Sequence, residues 1–264
     1  MPEGHTLHRL ARDQQRLFGG TIVAASSPQG RFVEGAARLD GQRLVHTEAY
    51  GKHLLHHYGD GAILHVHLGL YGKFSTGRGE PPEPRGALRL RLANDEAWTD
   101  LRGATACELV TPDQVEILLA RLGPDPLRPK TDPAPALERI ARSRAPIGVL
   151  LMDQSVLAGV GNVYRAEVLF RARLDPLRAG RDVPSRLLNE MWDDLVVLMR
   201  AGVSAGRIVT TRPEDRAAGR VLRHQAHYVY RRTGLPCRIC STPIASAELA
   251  ARNLFWCPSC QAPN

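Results

Sequence analysis

The sequence predicts an α+β protein in which a β-rich N-terminal part, a helical middle part and a small cysteine-rich hairpin follow one another. Three observations support this prediction. Short β-rich runs broken by Gly and Pro fill residues 21–110, which is typical of a sandwich or barrel. A helical apolar period replaces them after a proline-rich segment at 123–129. Four cysteines lie in two Cys-x-x-Cys pairs near the C-terminus.

The N-terminal part begins with a predicted helix over residues 6–18, because its leucines and Phe18 fall near one face and Gly19-Gly20 supplies a stop. Predicted strands follow at 21–25, 43–48, 52–58, 62–68, 87–92 and 106–110. Thr111 suits the N-cap and Pro112 the first turn of a helix that runs to Leu122.

The segment from Gly123 to Pro129 has three prolines and is predicted to be a linker. Helices are predicted beyond it at 134–142, 146–153, 162–172 and 185–201. The predicted domains are a β-rich N-terminal domain at 1–122, a linker at 123–134, a helical domain at 135–224 and a cysteine module at 225–264.

Composition restricts the class of protein. The 264 residues are 43% hydrophobic, as in globular proteins with ordinary cores. No run of 18 apolar residues is present, so no membrane span is predicted, and no secretory signal is visible. Five cysteines, four of them in close pairs, favour zinc in a reducing compartment over disulfides, so a cytoplasmic location is expected. The fifth, Cys107, is predicted to be a buried thiol.

The charge distribution indicates an anionic partner. The formal net charge is +8, and residues 201–264 carry nine Arg against three acidic residues. This balance favours nucleic acid or an anionic membrane. The chain has just three lysines, Lys52, Lys73 and Lys130. A lysine retained in an Arg-rich chain suggests an amine that must lose its proton, although coding bias gives the same pattern.

The cysteine spacing predicts a structural zinc site. Cys237, Cys240, Cys257 and Cys260 follow the pattern C-x2-C-x16-C-x2-C, which wraps one tetrahedral Zn²⁺ through four thiolates. Such a site has no open position for chemistry, and it explains how a small module folds. A strand at 254–256 would place Arg252 near the tip of a hairpin, where the alternative role is a solvated surface charge.

The first residues offer a nucleophile. Removal of Met1 would expose the secondary amine of Pro2, and α-amino groups titrate near pH 8. Attack of this amine on a sugar C1′ or an aldehyde would give an iminium, with Glu3 placed to handle protons. The alternative is that these residues are an ordinary exposed chain start.

Two further groups of residues have alternative interpretations. The turn from Gly159 to Asn162 places two glycines before a new helix, whose N–H groups could hold a phosphate, although such turns also serve as plain helix connections. Histidines cluster on two neighbouring strands, where half-exposed strand positions explain them more simply than a metal site. They are His53, His56, His57, His65 and His67.

Taken in order, these motifs resemble those of the formamidopyrimidine/endonuclease VIII family of DNA glycosylases over nearly the whole chain. The matching segments are Pro2-Glu3-Gly4, Gly51-Lys52-His-Leu-Leu, residues 67–72, residues 122–127, residues 153–170 and residues 229–261. The resemblance implies an N-terminal β-sandwich with flanking helices, a helix-two-turn-helix domain and a terminal zinc-finger hairpin. It also implies a bifunctional DNA glycosylase/AP lyase of base excision repair, acting as a monomer on damaged DNA, duplex or single-stranded.

The resemblance implies a role for each matching residue. Pro2 is the nucleophile, Glu3 donates a proton during base loss and ring opening, and Lys52 serves β-elimination and holds a flanking phosphate. Asn162 and Arg252 grip phosphates, and Arg252 assists δ-elimination.

The resemblance also concerns the space that the damaged nucleotide vacates. Leu70 and Tyr71 occupy the turn where the family carries residues that fill the space left by a flipped nucleotide. Packing of these two side chains at a strand end is the alternative.

Departures from the family pattern favour the endonuclease VIII branch and oxidised pyrimidines. Residues 100–104 contain one Arg and no Phe, whereas oxidised-purine members carry an Arg-Arg-Phe-Gly-like wedge there. The Leu70-Tyr71 pair and His5 also resemble that branch. One alternative is an oxidised-purine glycosylase of the same family, and another is a non-catalytic zinc-finger DNA-binding protein.

Overall fold

The computed structural model describes residues 2–262 and confirms the predicted α+β architecture. The chain divides into two compact units between Arg121 and Leu122. In the part of the chain that the structure describes, no helix is both long and apolar enough to cross a membrane.

From residue 2 onwards, the N-terminal unit contains three helices and eight strands. They are α1 (Gly4–Phe18), β1 (Ile22–Ser26), α2 (Val33–Leu39), β2 (Gln42–Tyr50), β3 (His53–Tyr58), β4 (Ile63–His67), β5 (Lys73–Arg78), β6 (Leu88–Ala93), β7 (Ala97–Arg102), β8 (Ala106–Val110) and α3 (Pro112–Ala120). Helix α3 begins with a capping box in which Thr111 and Gln114 bond reciprocally, and Pro112 follows as predicted.

The strands form one open, antiparallel eight-stranded arrangement in the order β5-β7-β6-β1-β2-β3-β4-β8. Strand β1 joins its two halves, because Ile22 and Val23 pair with β2 while residues 24–26 pair with β6. Both halves contribute to one core, in which Leu54 and Leu64 from one half meet Leu90 from the other. Cys107 belongs to this core as predicted, and burial raises the pKa of its thiol to about 12.

The predicted strands exist, but α2, β5 and β7 were not among the predicted elements. Strand β7 lacks the usual sequence pattern of a strand, because it contains the buried Asp100, a residue type that strands disfavour. Arg91, which lies opposite on β6, donates two hydrogen bonds of 2.7 and 2.9 Å to this carboxylate. The pairing compensates the buried charge, and the hydrogen bond to Asp100 raises the pKa of Arg91.

Helix α1 lies antiparallel to β2. The N–H of Gly20, just after the helix, donates to the Leu44 carbonyl at 2.7 Å. Further back along α1, the Ala11 carbonyl accepts a 2.6 Å hydrogen bond from the Thr47 hydroxyl. The N-terminus of α1 therefore lies towards the β2–β3 turn, at one end of this unit.

Up to residue 262, besides three short 3-10 helices, the C-terminal unit contains four α-helices and a hairpin. They are α4 (Ala134–Ala141), α5 (Ile147–Leu150), α6 (Asn162–Arg171), α7 (Ser185–Ala205), β9 (Ala245–Leu249) and β10 (Arg252–Trp256). Helix α5 is shorter than the predicted 146–153. Asp153 accepts hydrogen bonds from the backbone N–H and hydroxyl of Ser155, at 2.9 and 2.6 Å, and so favours a turn there.

Helix α6 is buried on nearly every side and joins the helical core to the cysteine module. One of its faces contributes to the core between α4 and α7, and the opposite face packs on the module through Ala166 and Phe170.

Glu167, on the same helix, is fully buried and accepts hydrogen bonds of 2.7–2.8 Å from the backbone N–H groups of Tyr228, Val229 and Tyr230. The Thr210 hydroxyl also donates to it. One carboxylate thus fixes the chain that leads into the module.

We expect Glu167→Gln to loosen this connection. The amide keeps one oxygen and turns its NH2 group towards either Val229 and Tyr230 or Tyr228 and Thr210, and each orphaned buried donor costs about 1–3 kcal/mol. Amides 228–230 should therefore exchange hydrogen roughly 5- to 150-fold faster, read by mass spectrometry. Glu190→Gln on the exposed face of α7 is the matched control. Unchanged protection at 228–230 in Glu167→Gln would contradict this role.

Candidate functional site

Several of the residues singled out from the sequence meet at one end of the N-terminal unit. Tyr50 pairs with His53, so the β2–β3 turn at Lys52 lies at this end, and His67 pairs with His53, so β4 ends there too. From Ala11 back to Glu3 the helix covers about 12 Å, and from Thr47 to Lys52 the strand covers about 16 Å. The antiparallel arrangement therefore brings the N-terminus of α1 and the Lys52 turn to the same end.

Lys52 is held by a tight two-residue turn. Gly51 has φ +56° and Lys52 has a negative φ, the pattern of a type II′ hairpin turn with glycine in its first central position. Lys52 is half-buried and Gly51 is buried. The turn gives the lysine a fixed backbone on the rigid β2–β3 pair.

The N-terminal residues begin helix α1. Pro2 is half-buried, and Glu3 is the fully buried N-cap residue, whose backbone carbonyl accepts a 2.8 Å hydrogen bond from the Thr6 N–H. A carboxylate at a helix N-terminus is stabilised by the helix dipole. Burial lowers the pKa of the neighbouring His5 to about 4, so this imidazole is neutral at pH 7.

Neutral histidines surround Lys52, a feature that residue spacing alone did not reveal. Burial is the main cause that lowers the pKa of His53 to about 3. The neighbouring His65, His67 and Lys52 lower the pKa of His53 further. Burial also lowers the pKa of His67. These rings therefore add no positive charge beside the lysine at neutral pH.

Leu70 and Tyr71 project from the turn that follows β4, at the same end. Leu70 is 46% exposed and Tyr71 is 85% exposed, so packing at a strand end does not explain them. The turn is closely packed and favours glycine at both positions, because a Cβ at Gly69 would lie 1.9 Å from the Thr105 hydroxyl and one at Gly72 would lie 2.2 Å from the Leu68 carbonyl. A closely packed turn that exposes an aliphatic side chain beside an aromatic one suits insertion into a base stack.

The adjoining β7–β8 connection is short. Strand β7 ends at Arg102 and β8 begins at Ala106, so just residues 103–105 intervene. The Arg102 guanidinium donates to Asp100 at 3.1 Å and to the Arg85 carbonyl at 3.2 Å. Neither an inserted aromatic wedge nor an outward-reaching arginine is present in this connection.

In the C-terminal unit, the two-glycine turn is held by Gln154. Its side chain donates to the Val160 carbonyl at 2.9 Å and accepts from the Gly159 N–H at 3.0 Å. Gly159 has φ +87°, which favours glycine. The turn delivers Asn162 to the first position of α6.

Asn162 and Arg165 link this helix to the hairpin that carries Arg252. The Asn162 amide nitrogen donates to the Asn253 carbonyl at 2.9 Å, and Arg165 donates to the same carbonyl at 3.0 Å and to the Asn162 amide oxygen. Both side chains are buried. Asn162 was expected to grip phosphate, and its side chain is committed in part to holding β10.

Arg252 opens β10 directly after the hairpin tip, as predicted. It pairs with Leu249, and its exposed guanidinium donates to the Ala251 carbonyl at 3.3 Å. Ala250 and Ala251 have φ of +50° and +56°, a conformation that normally requires glycine or asparagine. Such strain is found where a loop must aim a functional group, here the Arg252 side chain.

The four predicted cysteines converge. Sulfur–sulfur distances are 3.4 Å for Cys240–Cys260, 3.5 Å for Cys240–Cys257 and 3.9 Å for Cys237–Cys260, and none of the four is in a disulfide. A tetrahedral Zn²⁺ with bonds of about 2.3 Å separates its sulfur ligands by about 3.8 Å. Backbone N–H groups of Ile239 and Cys260 point at sulfurs at 3.4 Å. The residues therefore fit a zinc ion held by four thiolates.

Gln261, which follows the last cysteine, fixes this cluster to the helical core. Its side chain accepts from the Cys257 N–H at 3.0 Å and donates to the Leu174 carbonyl at 2.9 Å. It is 2% exposed. Residue spacing does not indicate its role, because a lone glutamine after a cysteine pair has no pattern of its own.

Together the fold and the site define a two-unit enzyme with a zinc finger, and family models agree along the chain. The formamidopyrimidine-DNA glycosylase N-terminal domain matches residues 1–107, and the H2TH domain of the same enzyme matches residues 122–213. A zinc finger found in FPG and IleRS matches residues 234–263. The chain therefore belongs to the formamidopyrimidine-DNA glycosylase family.

Relatives with known names place it in the endonuclease VIII branch. It is 52% identical over 267 residues to "Endonuclease 8 1" of Mycobacterium tuberculosis, covering 99% of this chain and 100% of that protein. It is 32% identical over 271 residues to "Endonuclease 8" of Escherichia coli, with the same coverage. The predicted enzyme class, a bifunctional DNA glycosylase/AP lyase of base excision repair, is confirmed.

Solved structures show the same fold. Lactococcus lactis Fpg in complex with DNA containing an abasic site superposes with a TM-score of 0.81 at 22% identity, covering 99% of this chain and 100% of that chain. MutM in complex with DNA containing carbocyclic 8-oxo-G has the same TM-score, identity and coverage.

Proposed function

We propose that this enzyme excises oxidised pyrimidines from DNA through a Schiff base on Pro2. The observation that carries the proposal is the shared end of the N-terminal unit, where Glu3, Lys52 and the exposed Leu70-Tyr71 turn come together. The relatives are named endonuclease 8, and the matched solved structures are complexes with damaged DNA, which supports damaged DNA as the partner.

The chemistry follows from the groups present. The Pro2 nitrogen attacks C1′ and loses its proton, the C1′–base bond breaks, and the base leaves with that proton. Cleavage of the C1′–O4′ bond, with a proton from Glu3, gives the ring-opened iminium. Lys52 assists removal of a C2′ proton, which expels the 3′ phosphate, and a second elimination releases the 5′ phosphate.

Arg252 and Asn162 are the residues proposed to contact DNA phosphates. Arg252 is exposed at a strained tip, so its guanidinium is presented to a phosphate and can assist the second elimination. Asn162 uses one amide N–H on Asn253, and the second amide N–H is the donor assigned to a phosphate. The same bond holds β10, so the two phosphate contacts belong to one rigid element.

The pyrimidine preference rests on the three-residue β7–β8 connection. An oxidised-purine enzyme needs a group that enters the stack from this position, and Arg102 is instead bonded to Asp100 and Arg85. The exposed side chains of Leu70 and Tyr71, on the turn after β4, would instead fill the space left by the flipped nucleotide. We also propose one structural zinc ion per chain, held by the four cysteines, which leave no ligand position for catalysis.

Borohydride trapping on abasic-site DNA tests the nucleophile. The mature wild-type chain should form a covalent adduct. A chain with one extra residue retained before Pro2 should form almost none, because the proline nitrogen becomes an amide without a nucleophilic lone pair. Lys130→Ala, at an exposed lysine of the other unit, is the control and should trap normally. Undiminished trapping by the extended chain would rule out Pro2.

The filling role of Tyr71 predicts a strand-dependent defect. An aromatic side chain that stacks on bases contributes about 1–3 kcal/mol, so Tyr71→Ala should lower kcat/KM on duplex substrate by roughly 5- to 150-fold. Tyr71→Phe keeps the ring and should retain activity. The loss should be smaller on single-stranded substrate, where no opposite stack must be held open. An equal loss on both substrates would argue against a filling role.

Lesion preference is tested with duplex oligonucleotides that each carry one oxidised pyrimidine or one oxidised purine. We expect kcat/KM to favour the pyrimidines by about tenfold or more, the range that pocket shape alone provides. The opposite base is varied in parallel. Faster excision of oxidised purines, whatever base lies opposite, would overturn the preference and leave the Schiff-base chemistry intact.

A further inference from the structure

One face of the sheet formed by β2, β3, β4 and β8 is unusually rich in histidine. The register places His46 opposite His57, His53 opposite His67, and His65 opposite Glu108. The other face of the same strands carries the apolar residues of the core and contacts α1. The histidines therefore share one face, away from that core.

A bulge in β2 creates part of this arrangement. The register shifts between Leu44 and His46, so that Leu44 pairs with Tyr58 while His46 pairs with His57. Without the extra residue, Val45 would lie opposite His57 and His46 would turn inward. Bulges of this kind re-aim side chains beside functional sites. Here the bulge brings His46 next to His57 and onto the face of Glu48.

His46, Glu48 and His57 direct three donor atoms at one point. The Glu48 carboxylate oxygen lies 3.2 Å from His57 Nε2 and 3.8 Å from His46 Nε2, and all three atoms lie within 4.8 Å of one another. The two rings are stacked with centroids 5.1 Å apart. All three side chains are accessible, with exposed fractions of 51%, 26% and 28% for His46, Glu48 and His57.

These distances match a metal site. Zinc bonds of about 2.0–2.2 Å to imidazole nitrogen and carboxylate oxygen separate tetrahedral ligands by about 3.3–3.5 Å. Two imidazoles and one carboxylate suit first-row divalent metals such as Zn²⁺, Ni²⁺ and Cu²⁺, and leave positions for water. We propose that His46, Glu48 and His57 form a second metal site, independent of the four cysteines, that binds a divalent transition-metal ion.

The neighbouring histidines do not offer the same geometry. His65 uses both ring nitrogens, one on Glu108 at 3.0 Å and the other on His53 at 2.9 Å. It is also just 5% exposed, so an ion has little access. Buried His56 bonds to Gln14 at 2.7 Å on the opposite face. The three-residue group at the bulge is thus the candidate among these histidines.

The site is also separate from the proposed catalytic residues. Four residue steps along β2 separate the His46–His57 pair from the Tyr50–His53 pair that closes the Lys52 turn. At about 3.4 Å per residue this is roughly 14 Å along the strands. Substitutions at His57 should therefore leave borohydride trapping unchanged, and failure of the metal proposal would not affect the proposed chemistry.

Zinc binding by the full-length protein tests the proposal. The chain is first dialysed so that only the tightly bound zinc of the cysteines remains, and zinc is then titrated with metal analysis after equilibrium dialysis. Wild type should gain one further zinc per chain. His57→Gln and His46→Gln/His57→Gln should bind that second ion at least tenfold more weakly. His224→Gln, at an exposed histidine of the other unit, should behave as wild type.

Side-chain NMR of the histidine rings locates the ion. Zinc should shift the His46 and His57 signals and leave the His56 signals unchanged, and melting curves confirm that each variant is folded. Absence of a second zinc at free concentrations up to about 0.1 mM, a weak limit on the affinity scale, would overturn the proposal. A second zinc that persists in the double variant would place the ion elsewhere and overturn it as well.

Discussion

The buried carboxylate of Glu167 is the interaction on which the C-terminal unit depends. It gathers three consecutive backbone N–H groups and the Thr210 hydroxyl around one side chain. A buried charge is tolerated when it is fully hydrogen-bonded, and hydrogen bonds to charged groups are stronger than neutral ones. The chain entering the cysteine module is thereby fixed to helix α6 before any metal ligand is reached.

The same helix controls the position of the hairpin. Asn162 and Arg165, which lie five and two residues before Glu167 on α6, both donate to the Asn253 carbonyl beside Arg252. Gln261 bonds the far side of the zinc cluster to the helical core. These buried polar bonds fix the module, and with it the exposed Arg252, on the helical core.

In the N-terminal unit, strand register has the corresponding role. The antiparallel ladder brings the β2–β3 turn, the end of β4 and the start of β8 to one end, and α1 runs antiparallel to β2 towards it. Each catalytic candidate thus lies on, or next to, a rigid element. A turn with two glycines exposes Leu70 and Tyr71. Burial of apolar side chains normally stabilises a fold by about 25 cal/mol for each Å² buried. The exposure of both side chains is the observation on which their proposed role depends.

The sequence by itself determined most of the helices and strands and the four clustered cysteines, because helix periods, turn glycines and Cys-x-x-Cys pairs are local patterns. It also predicted Pro2, Glu3 and Lys52 as catalytic residues. It missed β7, because the charge of Asp100 is compensated by Arg91 on another strand. It did not indicate His46 and Glu48, because a bulge, which shifts the side-chain alternation by one residue, decides which face they occupy. It also left open whether the side chains of Leu70 and Tyr71 are packed in the core or exposed at the surface. Burial, register and the partners of buried polar groups depend on residues distant in the chain, so the tertiary structure alone decided them.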